Sequence, residues 1–319
     1  VKDATQRIVF WGTPKAAACC LDCLAGHGLN IAGVVTQPDK PVGRKHIVTL
    51  PPVKRVAIDR NIPVLQPVSI KTPKFRQQLE ALEPDICVVV AYGKIIQADI
   101  LAIPETFINL HFSLLPKYRG AAPVQWALMD GAKETGVTVQ HLAQKMDTGD
   151  IILQEQVSID DDDTADILLE KCVSIGVPLL YKALELILAG KAPREKQDDT
   201  EATYASKINR EHGYIDWHKT AREIYNQVRA CTPWPGTTTW HAGMEYKIRK
   251  VRIDDDMATG TEPGTPIVTK RHLKVSTGKG TLEILEIQPS NKPRMSAEAF
   301  LSGHRNLLAR FESFQPKNR

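Results

Sequence analysis

Apolar and polar positions follow two different rhythms along the chain. Up to residue 129, short runs rich in β-branched residues are separated by segments of helical period. Residues 7–11, 31–36, 64–65, 85–92 and 107–110 read as strands, and residues 15–25, 71–82 and 123–129 as helices. Strands alternating with helices predict an α/β fold, a Rossmann-like, mostly parallel sheet with helices on both faces. Residues 136–142 and 151–159 then read as two strands joined by the turn-like Lys145-Met146-Asp147-Thr148-Gly149-Asp150. A long helix follows over 164–188, and Gly190 is a natural stop for it. Residues 191–203 are polar, carry Pro193 and read as a linker. Past a helix at 220–231, short strands at 237–241, 246–253, 266–269, 273–276 and 282–287 predict a small β-barrel. The expected division is a first domain over 1–190, a linker over 191–209 and a barrel domain over 210–319.

Composition supports two folded domains. The 319 residues are 42% hydrophobic and 24% charged, which suits a globular chain rather than a disordered one. No internal repeat is visible. The longest nearly unbroken apolar run, 86–92, falls far short of the ~20 residues of a membrane helix, so no membrane partner is expected. Residues 1–6 contain no apolar signal core, and six cysteines in so long a chain are not a disulfide scaffold; a reducing compartment is expected. The net charge of +4 is unevenly spread: residues 210–319 hold 18 Lys+Arg against 12 Asp+Glu, a net +6, and the rest of the chain a net −2. A basic barrel on an acidic α/β domain suits a module that holds nucleic acid, and suits an ordinary solvated surface about equally.

The chemistry concentrates after the strand at 107–110. Asn109 and His111 are two residues apart, so on a strand they face one side, at the end where open parallel sheets present their ligand crevice. An amide that donates to an oxygen gaining negative charge, beside an imidazole that moves a proton, suits acyl transfer. The same residue types also close turns, so the pair alone does not decide. Ser113-Leu114-Leu115-Pro116 is apolar and stiff, fit to wall a pocket for a flat ligand. Asp147, in its glycine-bearing turn, is a carboxylate able to reach the imidazole. Lys40, Arg44, Lys45, Lys54 and Arg55 lie in one loop that also carries Pro38, Pro41, Pro51 and Pro52. Such a loop can lie along phosphates without reading many bases.

Asn109-Leu110-His111, Ser113 to Pro116, Arg119 to Pro123 and Asp147-Thr148-Gly149 resemble the signature of the folate-dependent formyltransferases. Gly12-Thr13-Pro14, the run from Gln37 to Arg44, Ile215-Asp216-Trp217 and Pro233-Trp234-Pro235-Gly236 are similar to the methionyl-tRNA branch of that family. The resemblance implies formyl transfer from 10-formyltetrahydrofolate to the α-amino group of methionyl initiator tRNA, without a metal. It implies Asn109, His111 and Asp147 as the catalytic trio. Ser113, Leu114, Leu115, Pro116, Tyr92 and Gly93 would border the folate, and Lys40, Arg44 and Lys45 would meet the tRNA. It also implies an OB-like barrel that helps hold the tRNA, in a monomer of the bacterial cytoplasm or an organelle matrix. The chain departs from the family pattern at Lys45-His46-Ile47-Val48, Gln97 and Phe112, none of them in the trio.

Two other functions stay open on the sequence. Sugar-nucleotide formyltransferases share Leu115 to Gly120 and Thr135 to Thr138, and usually lack a loop like Gln37–Arg44; formyltetrahydrofolate hydrolases would need only water as acceptor. A non-catalytic RNA-binding relative would keep the barrel and dispense with the trio. The Cys20-Leu21-Asp22-Cys23 motif lies in a helix without two further ligands at suitable spacing, so a zinc site is not expected. No phosphate-binding glycine motif of a dinucleotide or triphosphate site occurs.

Overall fold

A computed structural model describes residues 6–42, 47–255, 257, 260–269, 271–303 and 311. Contacts divide the chain into two units: residues 1–123, 134–158 and 169–205 form the first, and residues 124–133, 159–168 and 206–319 the second.

The chain begins with β1 (Ile8–Gly12), α1 (Lys15–Gly26), β2 (Ile31–Val35), the hairpin strands β3 (Lys40–Val42) and β4 (Ile47–Thr49), α2 (Pro52–Asp59) and β5 (Val64–Leu65). It continues through α3 (Pro73–Glu80), β6 (Ile86–Val90), α4 (Ala98–Leu101), β7 (Thr106–His111), β8 (Arg119–Gly120) and α5 (Pro123–Met129). Then come β9 (Glu134–His141), β10 (Ile151–Ser158), α6 (Ala165–Leu188) and the short β11 (Tyr204–Ala205).

Seven strands form one sheet in the order β10-β9-β7-β6-β1-β2-β5. The five from β7 to β5 run parallel; β9 is antiparallel to β7, and β10 to β9. The chain leaves β1 for β2 on one side and later returns to β6 on the other, which makes the β1/β6 boundary a topological switch point. β1 and β6 are buried throughout, as central parallel strands covered on both faces must be. On one face, Val9, Trp11, Cys87, Val89 and Phe107 meet Phe75 and Leu79 of α3 and Ile100 of α4. On the other, α6 crosses β7 closely because Gly176 has no side chain: a Cβ there would come 3.2 Å from Leu110 Cδ2.

The pattern placed the main elements and missed the short ones. The proline-bearing loop after residue 37 contains the β3/β4 hairpin, and its last residues start α2, with Pro52 in the first turn where a missing N–H costs nothing. Part of the stretch expected as a linker is built into the first unit. Glu195 exchanges both backbone hydrogen bonds with Ile151 (2.7 and 3.0 Å), and β11 pairs in parallel with β8.

The second unit contains α7 (Ala221–Ala230), β12 (Thr237–His241), β13 (Met244–Asp255), β14 (Pro266–Val268), β15 (Leu273–Ser276), β16 (Thr281–Pro289), β17 (Met295–Ser296) and α8 (Ala297–Gly303). Its antiparallel sheet runs β12-β13-β16-β15-β14, with β17 added to β16. Register shifts along the β13/β16 pair bend the sheet round its core, as bulges do. Trp217, Ile224, Val228, Tyr246, Phe300 and Phe311 fill that core. A capping box starts α7: Thr220 Oγ1 accepts from the Glu223 backbone N–H (3.2 Å), and the Glu223 carboxylate accepts from the Thr220 N–H (2.8 Å).

Candidate active site

β7 ends at His111, at the carboxyl edge of the parallel strands. The strand extends one residue beyond the expected 107–110 at each end. Asn109 and His111 therefore both lie on it and share a face. On β9, Gln140 stands opposite Asn109 and Thr138 opposite His111. Four polar side chains thus occupy one patch of sheet, and all four residues are buried.

Asn109 is 9% exposed and makes no side-chain hydrogen bond among the described residues. Its unpaired amide atoms are not fully buried, so the group keeps surface from which it can donate to and accept from a ligand.

His111 is pinned. Its Nε2 lies 2.9 Å from the Tyr118 carbonyl oxygen, which can only accept, so Nε2 carries a proton and donates it. That leaves Nδ1 facing Asp147 Oδ1 at 3.7 Å, an ion-pair separation too long for a direct hydrogen bond.

Asp147 is fixed from several sides. Oδ2 accepts from the Gly120 N–H (2.8 Å), and Oδ1 from Gln140 Nε2 (3.3 Å). Its backbone is left-handed, φ 55°. The turn also sits hard against the end of β9: a Cβ on Gly149 would lie 1.6 Å from the His141 carbonyl oxygen. Only glycine fits there, which explains the Asp-Thr-Gly order in physical terms.

The wall at 113–116 hangs on one hydroxyl. Thr138 Oγ1 donates to the Ser113 carbonyl (2.6 Å) and accepts from the Leu115 N–H (3.1 Å) and Gln154 Nε2 (2.9 Å). Ser113 and Leu115 are buried, while Leu114 and Pro116 are half-buried and keep surface to offer a ligand. Tyr92, after β6, packs its ring edge-on to Trp11, 5.2 Å between centroids, and burial pushes its hydroxyl above the usual tyrosine range. Its carbonyl accepts from Thr13 Oγ1 (3.3 Å) and Gln37 Nε2 (3.1 Å). Tyr92 thus faces the core with its ring, and Gly93 beside it is exposed at φ 84°.

Among the cations of the early loop, Lys40 on β3 and Arg55 on α2 are exposed and in no ion pair among the described residues. Lys54 is occupied. Its Nζ lies 2.7 Å from Asp39 Oδ2, and this bond, with one from Gln66, holds the Asp39 carboxyl below its usual range. Lys54 is therefore held by Asp39 and is not one of the loop's free cations. Arg44 and Lys45 lie outside the described residues.

Four residues at the site carry no role on the sequence alone, although Arg119 and Thr138 fall within its family-like motifs. Thr138 and Gln140 carried a usable signal, since they alternate on one face of β9 while Val137 and Val139 alternate on the other. The other two, Arg119 and Gln197, form a cross-tie. Gln197 Oε1 accepts from Arg119 Nε (3.0 Å) and the Nη2 group (2.8 Å). Gln197 Nε2 donates to the carbonyls of Asp147 (2.9 Å) and Gly149 (2.7 Å) and lies 3.2 Å from Gln140 Oε1. Among the described residues, no group of three His, Cys, Asp or Glu side chains could hold a metal ion, and no helix is long and apolar enough to cross a membrane.

Known proteins bear on this arrangement. Residues 6–184 match the family described as formyl transferase, and residues 207–305 match formyl transferase, C-terminal domain. A methionyl-tRNA formyltransferase of Clostridioides difficile is 44% identical over 301 residues, 94% of this chain and 97% of that one. An N-formyltransferase from Helicobacter canadensis, solved with folinic acid and dTDP-3-aminofucose, aligns at a TM-score of 0.67 and 22% identity over 89% of this chain and 100% of its own. HypX from Aquifex aeolicus, solved with tetrahydrofolic acid, aligns at 0.64 and 14% identity over 98% of this chain and 50% of its own. At those identities the two structures share the fold with this chain.

Proposed function

The chain belongs to the formyl transferase family, and from that premise we propose that it moves the formyl group of 10-formyltetrahydrofolate to the α-amino group of methionyl initiator tRNA. The observation that carries this reading is the unpartnered Asn109 amide, buried beside a His111–Asp147 pair at the carboxyl edge of the sheet. The site suits a formyl donor: it offers a free amide for the formyl oxygen and the half-buried Leu114 and Pro116 for an apolar ring.

The neutral amine attacks the formyl carbon, forming the new N–C bond and sending an electron pair to the oxygen. Asn109 donates a hydrogen bond to that oxyanion, and His111 stands beside it with Asp147 against its Nδ1. Collapse breaks the bond to the folate nitrogen. The amine loses one proton and the departing nitrogen gains one; the His111–Asp147 pair is the relay for this exchange. Because the amine must be neutral, the rate rises with pH through the α-amino range, around 8 for an unperturbed group.

The tRNA acceptor is supported by the 44% identity to the C. difficile protein and by the basic balance of residues 210–319. In this reading Lys40, Arg44 and Lys45 contact phosphates, and the second unit is an OB-like domain that holds the tRNA. The enzyme acts as a monomer where initiator tRNA is charged, in a bacterial cytoplasm or an organelle matrix. The test is an acceptor panel with one formyl donor: charged initiator Met-tRNA, charged elongator Met-tRNA, an amino-sugar nucleotide and water. Formyl-methionine on the initiator is expected. Product on the sugar nucleotide alone would overturn the acceptor, and no product from any acceptor would overturn the chemistry.

A further inference from the structure

We infer that Gln197 is a positioning residue for the reaction: through Gln140 and the backbone of the Asp147–Gly149 turn, it holds the Asp147 carboxylate at His111. The inference rests on the formyl-transfer reading above.

The amide of Gln197 can be oriented only one way. Its oxygen faces two guanidinium donors of Arg119, and its nitrogen faces the carbonyls of Asp147 and Gly149. Turning the amide over would set donors against donors and acceptors against acceptors. Arg119 anchors the oxygen side: it is 3% exposed, and its backbone N–H donates to the Thr203 carbonyl (2.8 Å). The nitrogen side clamps the turn at two carbonyls and lies beside Gln140 Oε1, which fixes the rotamer from which Gln140 Nε2 reaches Asp147 Oδ1.

This clamp acts where the carboxylate is most easily lost. Asp147 sits in a left-handed conformation, uncommon for a residue with a side chain although aspartate tolerates it better than most. The carboxylate is already 3.7 Å from Nδ1, so a small rotation of the turn separates the pair. Gln197 approaches no nearer to the reacting atoms than the turn itself. Its effect is therefore on geometry, and the signature is lost turnover with substrate affinity kept.

Two variants separate the halves of the cross-tie. Gln197→Leu removes both. Gln197→Glu keeps an acceptor for Arg119, and so its anchorage in the fold, but opposes the two carbonyls with a carboxylate. Both are expected to lower kcat by about 10- to 100-fold, the scale for a small misplacement of a reacting group. KM for either substrate should change less than about twofold, as for a group that binds neither. In an Asp147→Asn background neither should add a further loss, since both would act through the same carboxylate. Full turnover by Gln197→Glu, or a loss that multiplies in the Asp147→Asn background, would overturn the inference.

A second measurement needs no acceptor. Hydrogen exchange of the Gly120 amide, which donates to Asp147 Oδ2, should speed up by about tenfold or more in both variants, as a loosened local bond allows. Unchanged protection would also overturn the inference. Failure of wild-type protein to formylate Met-tRNA counts against the functional reading, and the exchange experiment still decides the role of Gln197.

Discussion

Residues 106–120 and residues 195–205 meet at Arg119 in the first unit, and they serve the same site by different physics. The first stretch is a strand and the loop leaving it. It brings Asn109 and His111 to one face and supplies, from Gly120, a backbone donor for Asp147. The second holds only a short 3-10 turn at Asp199–Glu201 and the two-residue β11, yet it is bonded along its length: Glu195 to Ile151, Gln197 to three groups of the turn and strand, and Thr203 to Tyr118 and Arg119. One stretch carries reactive groups and the other holds them still. Chemistry needs particular residue types at a particular spacing, whereas holding needs only a donor or acceptor that arrives in the right place.

Breaking the first stretch should have the largest effect. Asn109→Ala removes the donor aimed at the developing oxyanion. A loss of about 10²–10³ in kcat is expected, the usual cost of one such donor, with tRNA binding retained. Single-turnover formylation with saturating substrates measures it. Retained turnover would remove Asn109 from the chemistry and leave the comparison without its reactive side.

Asp147→Asn comes next. The two carboxylate oxygens accept from the Gly120 N–H and Gln140 Nε2, so an amide must turn its own N–H₂ toward one of these donors. It also takes away the charge opposite His111 Nδ1. A fall of about 10- to 100-fold in kcat is expected, by analogy with removing a carboxylate that orients a metal-ligating histidine. The kcat–pH profile checks the role: if Asp147 serves only the fold, kcat falls by one factor at every pH and the profile keeps its shape.

This contrast also explains what could be read from the chain. The alternation of β-branched runs and helical segments gave the parallel sheet, because a strand buried on both faces has to be apolar throughout, as 86–90 is. Asn109, His111 and Asp147 could be picked out because polar groups at a strand end and in a glycine turn need a reason. Gln197 offered no such signal. It sits in Lys191–Thr203, a stretch whose composition is that of a solvated connector, and its meaning depends on Arg119, 78 positions earlier. The same limit applied to Lys54, which belongs to a proline-rich basic run by composition and to Asp39 by geometry. Partners that far apart in sequence leave no periodicity to detect.

Thr138→Val tests whether the wall at 113–116 is held as the trio is. The substitution keeps the volume and deletes a hydroxyl that serves Ser113, Leu115 and Gln154. Leaving such groups unpaired costs about 1–3 kcal/mol, which lowers Tm by about 2–4 °C for each kcal/mol in a unit of this size. Calorimetry measures the stability. The KM for the formyl donor should rise more than kcat falls, because a pocket wall acts on binding. A kcat effect matching that of Asp147→Asn would move Thr138 from the wall to the reactive group.

The smallest effect is expected at the outer end of the cross-tie. Asp199 meets Arg119 at 2.7 Å, but the carboxylate side chain is 82% exposed while the arginine is 3% exposed. An exposed partner is screened by water and salt, so the pair contributes about 0–1 kcal/mol. In Asp199→Ala, Arg119 keeps both bonds to Gln197 Oε1, and water can replace the carboxylate. The variant should therefore stay within about twofold of wild-type kcat, with a Tm shift near the limit of detection by calorimetry. Should Asp199→Ala instead fall as far as Gln197→Leu, the second stretch would be holding the site through charge rather than through a directional amide. In that case added salt should reproduce the loss in the wild-type enzyme, since screening weakens an exposed ion pair and leaves buried neutral hydrogen bonds intact.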